Sequence, residues 1–274
     1  AKAKNDAIDA SNLTAEEKDT LKQTVAGEVT KAKAAIDAAT KDADVKTAQT
    51  NGEKAINAVE IPASVSKTDA INAINAALAD KKAAINGTNL TDEEKTALIN
   101  KAQKLADDAI ADINKAATNE AVNTAKENGV ETINNVNVPT TSATKDAAIN
   151  AINTALAAKK SAINGTDLTA EEKTALVNQA QKLADDATTN INKATTNDAV
   201  NTAKETGVET INNVNVPATS ATKDDGIKAI DAALDNKKSE INNATNIDQA
   251  TKDNLIQAAT DAADKAKEAI NKAT

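Results

Sequence analysis

Closely spaced carboxylates stand at Asp107-Asp108 and Asp185-Asp186, and carboxylates are what metal binding or general acid–base catalysis would use. Spacing argues against both uses. Neighbours one apart on a helix point about 100° away from each other, so such a pair does not converge on one ion or one substrate. A nucleophilic Ser, Thr or Cys needs a base beside it. The chain has no Cys and no His, Ser is sparse, and no Ser-x-x-Lys motif stands in a pocket-forming context. There is no EF-hand spacing and no Gly-rich phosphate loop. The expectation is therefore no catalytic, cofactor-binding or metal-binding residue, no cofactor, no small-molecule substrate and no enzymatic activity.

The more informative spacing belongs to a different group of residues. Leu13-Thr14-Ala15-Glu16-Glu17-Lys18 recurs as Leu90-Thr91-Asp92-Glu93-Glu94-Lys95 and as Leu168-Thr169-Ala170-Glu171-Glu172-Lys173, with a looser copy at Ile247-Asp248-Gln249-Ala250-Thr251-Lys252. Each of the first three copies reads as a capping box. The Thr hydroxyl accepts from the backbone of the Glu three residues on, and that Glu reaches back to the cap. The paired acids also sit at the positive end of the helix they open. A helical start recurring every 77 or 78 residues makes the chain a tandem array.

Composition limits what the array can be. Of the 274 residues, 40 % are hydrophobic, but there is no aromatic residue, Met or Cys, so large core side chains are confined to Ile, Leu and Val. Such residues fill a narrow seam between helices, with Ala allowing close approach, rather than one thick core. All 32 basic residues are Lys, and the net charge of −9 speaks against a nucleic-acid partner, which wants a basic face with Arg or aromatics. No apolar run reaches the ~18–20 residues of a membrane-spanning helix, so no membrane insertion is expected. The chain opens partway through a repeat, which reads as an excised segment whose sorting signals lie outside it. Absence of Cys suits an exported Gram-positive protein and a cytosolic one equally.

Within each period three helical stripes follow one another. The first helix runs over about Lys67–Ile85, Lys145–Ile163 and Lys223–Ile241, on Ile71, Ile74, Leu78 and Ile85 and their equivalents; Ile8 marks the end of an earlier copy. Lys81-Lys82, Lys159-Lys160 and Lys237-Lys238 fall in its last turns, where they would complement the helix dipole. Asn86-Gly87 and Asn164-Gly165 read as its C-cap. The second helix carries Leu98, Ala102, Leu105, Ala109 and Ile113. The third covers about Asp44–Val59, Glu120–Val136 and Asp198–Val214. Ile113 to Val122 is a step of nine residues, which rotates the stripe by about half a turn. A tight turn therefore separates the second and third helices, with Thr118 and Thr196 as caps. Gly52, Gly129 and Gly207 lie on the buried side of the third helix, where mid-helix Gly signals a close neighbouring helix. Pro62, Pro139 and Pro217 then end it.

The expected fold is all-α: a tandem array of antiparallel three-helix bundles, left-handed and joined end to end into an elongated rod. The expected parts are a partial first repeat over 1–62 (the end of helix one, then helices two and three), three-helix repeats over 63–139 and 140–217, and a partial fourth over 218–274 with helices one and two. Periodicity leaves open whether the compact unit is helices one-two-three or two-three-one.

The multi-position pattern of Leu90–Lys95, then Ile113-Asn114-Lys115-Ala116 leading to Ala121-Val122, then Gly129-Val130-Glu131-Thr132-Ile133 and Val138-Pro139, resembles a known tandem repeat. It is the domain-of-unknown-function repeat of cell-wall-anchored surface proteins in staphylococci and lactobacilli. The resemblance covers nearly the whole chain and is strongest in 86–138 and 164–216, which differ at ten positions. It implies an extracellular, wall-attached protein whose signal and anchor lie outside this segment. In such proteins these arrays form a stalk that projects an adhesive domain in adhesion, aggregation or biofilm formation. It implies no catalytic residues. The alternative is a helical module that itself holds a host matrix or serum protein, or another copy of itself. A second family, giant matrix-binding surface proteins of three-helix modules, usually carries tyrosines, which are absent here.

Overall fold

The computed structural model describes residues 1–273, in which eleven helices and no strand occur. They are α1 (Lys2–Asp9), α2 (Ala15–Asp37), α3 (Asp42–Ala58), α4 (Val65–Asn86), α5 (Asp92–Lys115), α6 (Asn119–Asn134), α7 (Ala143–Asn164), α8 (Ala170–Lys193), α9 (Asn197–Asn212), α10 (Ala221–Asn243) and α11 (Gln249–Lys272). The chain divides into two compact units, Ala1–Thr140 and Thr141–Thr274.

The capping boxes form as the sequence predicts. At Thr91 the hydroxyl accepts from the Glu94 N–H at 3.4 Å, and the Glu94 carboxylate accepts from the Thr91 N–H at 3.0 Å. Thr14 with Glu17 and Thr169 with Glu172 do the same. In the looser fourth copy Asp248 takes over alone, accepting from the Thr251 N–H at 2.7 Å. The first helices start two residues before the predicted lysines. Ser64, Ser142 and Ser220 cap them, each accepting from the N–H three residues on, and a hydroxyl in that position satisfies one of the orphan donors. Gly87 and Gly165 do end their helices, but in right-handed geometry, and no described residue has positive φ. A left-handed cap is therefore not the reason for glycine there. At the equivalent place the fourth copy carries Asn243, which is still helical, and Ala244 after it ends α10 in an extended conformation.

In the first unit α4, α5 and α6 pack pairwise against one another around a single core. Ile74, Ile113 and Ile133 are wholly buried, with Ala70, Leu78, Ala102, Ala106, Val122 and Val136 around them. On α5 the buried line is Ala102, Ala106, Ala109 and Ile113, while Leu98 and Leu105, expected within it, are only partly buried. The closest approach of α6 to this line is at Gly129, against Ala109. A Cβ on it would stand 2.5 Å from Ala109 Cβ and 2.6 Å from Ile74 Cδ1, well inside the ~3.5–4.0 Å of normal carbon contact. In the second unit α7, α8 and α9 pack pairwise in the same way, with Gly207 at the same distances from Ala187 and Ile152. Gly52 faces Ala32 in the α2·α3 pair, whose α1 partner is only eight residues long.

Candidate functional site

The aspartate pairs do not converge. Asp107 accepts from the Gln103 amide at 2.9 Å and Asp108 from Lys104 at 2.8 Å; Asp185 and Asp186 repeat this with Gln181 and Lys182. Each carboxylate serves a partner one turn away on its own exposed face. Among the described residues no group of three or more His, Cys, Asp or Glu is placed to hold a metal ion.

The densest polar construction lies inside the first unit, where the loop before α2 meets the start of α4, the end of α5 and the start of α6. The Glu17 carboxylate is shared. One oxygen accepts from the Thr14 N–H at 3.0 Å and the other from the Ser66 N–H at 3.1 Å, so one anion sits on the N-termini of both α2 and α4. Its neighbour Glu16 accepts from the Asn119 N–H, at the start of α6, at 3.1 Å. The Ala15 N–H donates to the Ala117 carbonyl at 2.8 Å. Lys67 completes the set: its ammonium donates to the Asn12 side chain and to the Asn114 carbonyl, both at 2.9 Å. Three helix N-termini thus receive an anion and one C-terminus receives a cation, which is how helix dipoles and unpaired end groups are best met. Thr14 is fully buried and Lys67 is 4 % exposed, and charge-assisted hydrogen bonds are stronger when shielded from water.

Burial tends to raise the Glu17 carboxyl, but the hydrogen bonds from Thr14, Ser64 and Ser66 outweigh it and hold the group at about 2. Its own backbone N–H, then that of Asn119, lower Glu16. Desolvation lowers the Lys67 ammonium, and the charge of Glu17 opposes that shift. Within the second unit Glu172 stands in the same relation to α10. It accepts from the Thr222 N–H at 3.2 Å and the Thr222 hydroxyl at 3.1 Å. Hydrogen bonding, first from the Ser220 hydroxyl, brings its carboxyl down to about 2. Lys223 donates to the Asn271 carbonyl at the end of α11 at 3.0 Å.

Another lysine acts elsewhere than its position in the sequence suggests. Lys81 does not serve the end of its own helix. It donates to the Asn134 and Val136 carbonyls at 2.8 and 3.1 Å, closing the C-terminus of α6. Lys159 does this for α9, on the Asn212 and Val214 carbonyls, and Lys4 for α3, on Asn57 and Val59.

The roles of Glu16, Lys67 and Lys81 toward other helices are not assigned by the sequence reading. The available signal was recurrence: Ser64-Val65-Ser66-Lys67 returns as Ser142-Ala143-Thr144-Lys145 and as Ser220-Ala221-Thr222-Lys223. Here the serine caps the helix and the lysine closes the end of another.

A family model described as Domain of Unknown Function (DUF1542) matches residues 1–64, 66–141 and 144–219. The chain belongs to this family. DUF1542 is a repeat domain found in staphylococcal surface proteins, so the chain is a tandem DUF1542 array. α10 and α11 lie beyond the matched segments. No curated protein and no solved structure matches the chain. Among the described residues no helix is long and apolar enough to cross a membrane.

Proposed function

We propose that this DUF1542 array is a non-enzymatic spacer: antiparallel three-helix bundles set end to end in a cell-wall-anchored bacterial surface protein, holding an adhesive domain away from the wall. The observation that carries this reading is the joint in the first unit. A spacer needs consecutive repeats held in a fixed relation, and Glu16, Glu17 and Lys67 each make one hydrogen bond to the backbone or a side chain of the adjoining repeat. A second support is the surface. Among the described residues its exposed large hydrophobics are Val45, Val65 and Leu255 alone, whereas binding surfaces for proteins are usually contiguous apolar patches. A module that itself holds a host protein is therefore the weaker reading.

Small-angle scattering on the monomer tests the spacer. At ~1.5 Å per residue the longest helices span roughly 36 Å, so three to four bundles in line approach 150 Å, with a radius of gyration on the order of 40 Å. A compact chain of this length would have about 19 Å. A value near 19 Å would mean that the repeats fold back on one another, and the spacer reading would be abandoned.

A further inference from the structure

Four of the seven glycines directly follow an asparagine: Asn51-Gly52, Asn86-Gly87, Asn128-Gly129 and Asn164-Gly165. In such a pair the glycine backbone nitrogen can close a five-membered ring on the side-chain carbonyl carbon of the asparagine, and a residue without Cβ hinders that approach least. The fold puts the four pairs in two settings. Gly52 and Gly129 are buried within α3 and α6, against Ala32 and against Ala109 and Ile74. Their N–H groups lie inside a helix, where the ladder of backbone hydrogen bonds ties them down. Asn86 and Asn164 are instead the last residues of α4 and α7, Gly87 and Gly165 end those helices, and all four residues are exposed. Each of these glycine nitrogens is held by a terminal hydrogen bond, from Gly87 to the Ala83 carbonyl at 3.0 Å and from Gly165 to the Ser161 carbonyl at 3.1 Å. The turn itself does not require glycine. Gly87 and Gly165 have φ of −72° and −76°, and a Cβ on either would meet nothing closer than a carbonyl oxygen at 3.5 Å.

We propose that Asn86 and Asn164 are modification sites of the folded array, where spontaneous deamidation converts a helix-ending asparagine to aspartate or isoaspartate. The Gly87 nitrogen gives its proton to hydroxide and attacks Cγ of Asn86. The N–Cγ bond forms, the Cγ–Nδ2 bond breaks, and the side-chain nitrogen leaves as ammonia. Water then opens the cyclic imide at one of its two carbonyls. The net change is one water in and one ammonia out, with no oxidant and no cofactor. Selection among the four pairs comes from opening. A helix end frays at little cost, whereas the middle of a packed helix opens only with much of its bundle. The remaining copies fall outside the pattern: Asn242 is followed by Asn243, and α1 ends on Asp9, already a carboxylate. Asp9 also shows what the new charge would need. A carboxylate at a helix C-terminus is unfavourable, and Asp9 pairs with Lys22 at 2.5 Å. Ile99 and Val177 stand in the place of Lys22, so that partner is missing where Asn86 and Asn164 are modified. Nothing in this chemistry depends on the spacer role.

The test incubates the full chain in mildly alkaline buffer and follows each asparagine by peptide mapping and mass spectrometry. The amide-to-acid change raises the mass of a peptide, and isoaspartate separates from aspartate by chromatography. In the folded chain Asn86 and Asn164 should react about tenfold or more faster than Asn51 and Asn128, the scale set by local against wider opening. Both should yield isoaspartate and accelerate with pH, because the attacking nitrogen must lose its proton. In denaturant the four pairs should react at similar rates, which isolates the part played by the fold. Gly87→Ala, whose Cβ has room, should suppress the reaction at Asn86 and leave Asn164 unchanged. Asn86→Asp should speed hydrogen exchange at the end of α4, and adding Ile99→Lys should restore it. Equal rates at all four pairs in the folded chain overturn the proposal. So does an Asn86 that stays unmodified in the folded chain over a time in which the denatured chain has reacted.

Discussion

Two regions of the first unit are built from opposite materials. Between α4, α5 and α6 the contact is apolar and close, with isoleucines at full burial and a glycine set against an alanine. Between the loop before α2 and the ends of α4, α5 and α6 it is polar, made of two glutamates and a lysine acting on helix ends, with Asn12 accepting from the lysine. The difference is one of task. Apolar burial is non-directional and scales with area, so it supplies stability. Hydrogen bonds between charged groups and helix ends contribute less net energy but fix direction and distance. The triplet is held together by the first means, and the adjoining repeats are held in orientation by the second.

Damage to the interior should be the largest effect. Ile133→Ala removes a fully buried side chain and should cost about 2–5 kcal/mol, read by denaturant unfolding with hydrogen exchange localised to α4–α6. A cost below about 1 kcal/mol would mean that the core is loosely packed. At the joint, Lys67→Met keeps the length of the side chain but leaves the Asn114 carbonyl and the Asn12 amide oxygen without their donor. A loss of about 1–3 kcal/mol is expected, with exchange rising first at the end of α5 and the start of α2 rather than across the core.

The glycines sharpen the contrast within one residue type. Gly129→Ala should destabilise by roughly 1–2 kcal/mol, the overpacking cost less the ~1 kcal/mol that alanine gains in a helix. Gly27 lies in α2 with nothing within 4 Å of its would-be Cβ, so Gly27→Ala should stabilise by about 1 kcal/mol. Thermal melts of both variants check the pair; equal signs would refute the close-approach account of Gly129.

How much of this the sequence carries follows the same division. Contacts that repeat at helical spacing are readable from it. The capping boxes at Thr14, Thr91 and Thr169 and the buried side of Gly129 need only residues within one or two turns, and both form as expected. The inner place of Ala106 is less apparent, since Leu105 beside it is the better hydrophobe and yet is only partly buried. The joint is the least readable. Glu16 and Asn119 are separated by 103 positions, and an acid in the first turn of a helix is already accounted for by its own dipole. Nothing local shows that it also holds a second and distant helix. Lys81 has the same ambiguity, being near one helix end in sequence and at another in space.

The mildest perturbation acts on charge alone. Glu17 has its carboxyl depressed to about 2 in the folded chain from an ordinary value of 4.5. Its contribution is therefore fully present above about pH 4.5 and lost as pH falls through about 2. Glu172 follows the same course. Glu17→Gln should weaken the joint slightly at neutral pH and flatten the acid limb of stability between about pH 4.5 and 2. A variant with the unmodified acid dependence would show that Glu17 does not bear on it.

The central claim is that the polar joint fixes one repeat against the next. The chain has no Cys, so paired spin labels can be placed cleanly at exposed Lys33 of α2 and exposed Asp107 of α5, either side of the joint. Their distance distribution in the full chain should be single and narrow at pH 7, and should broaden when Glu17→Gln and Lys67→Met are combined while helicity is kept. A broad distribution in the unmodified chain, or a narrow one that the double substitution leaves unchanged, would contradict the account.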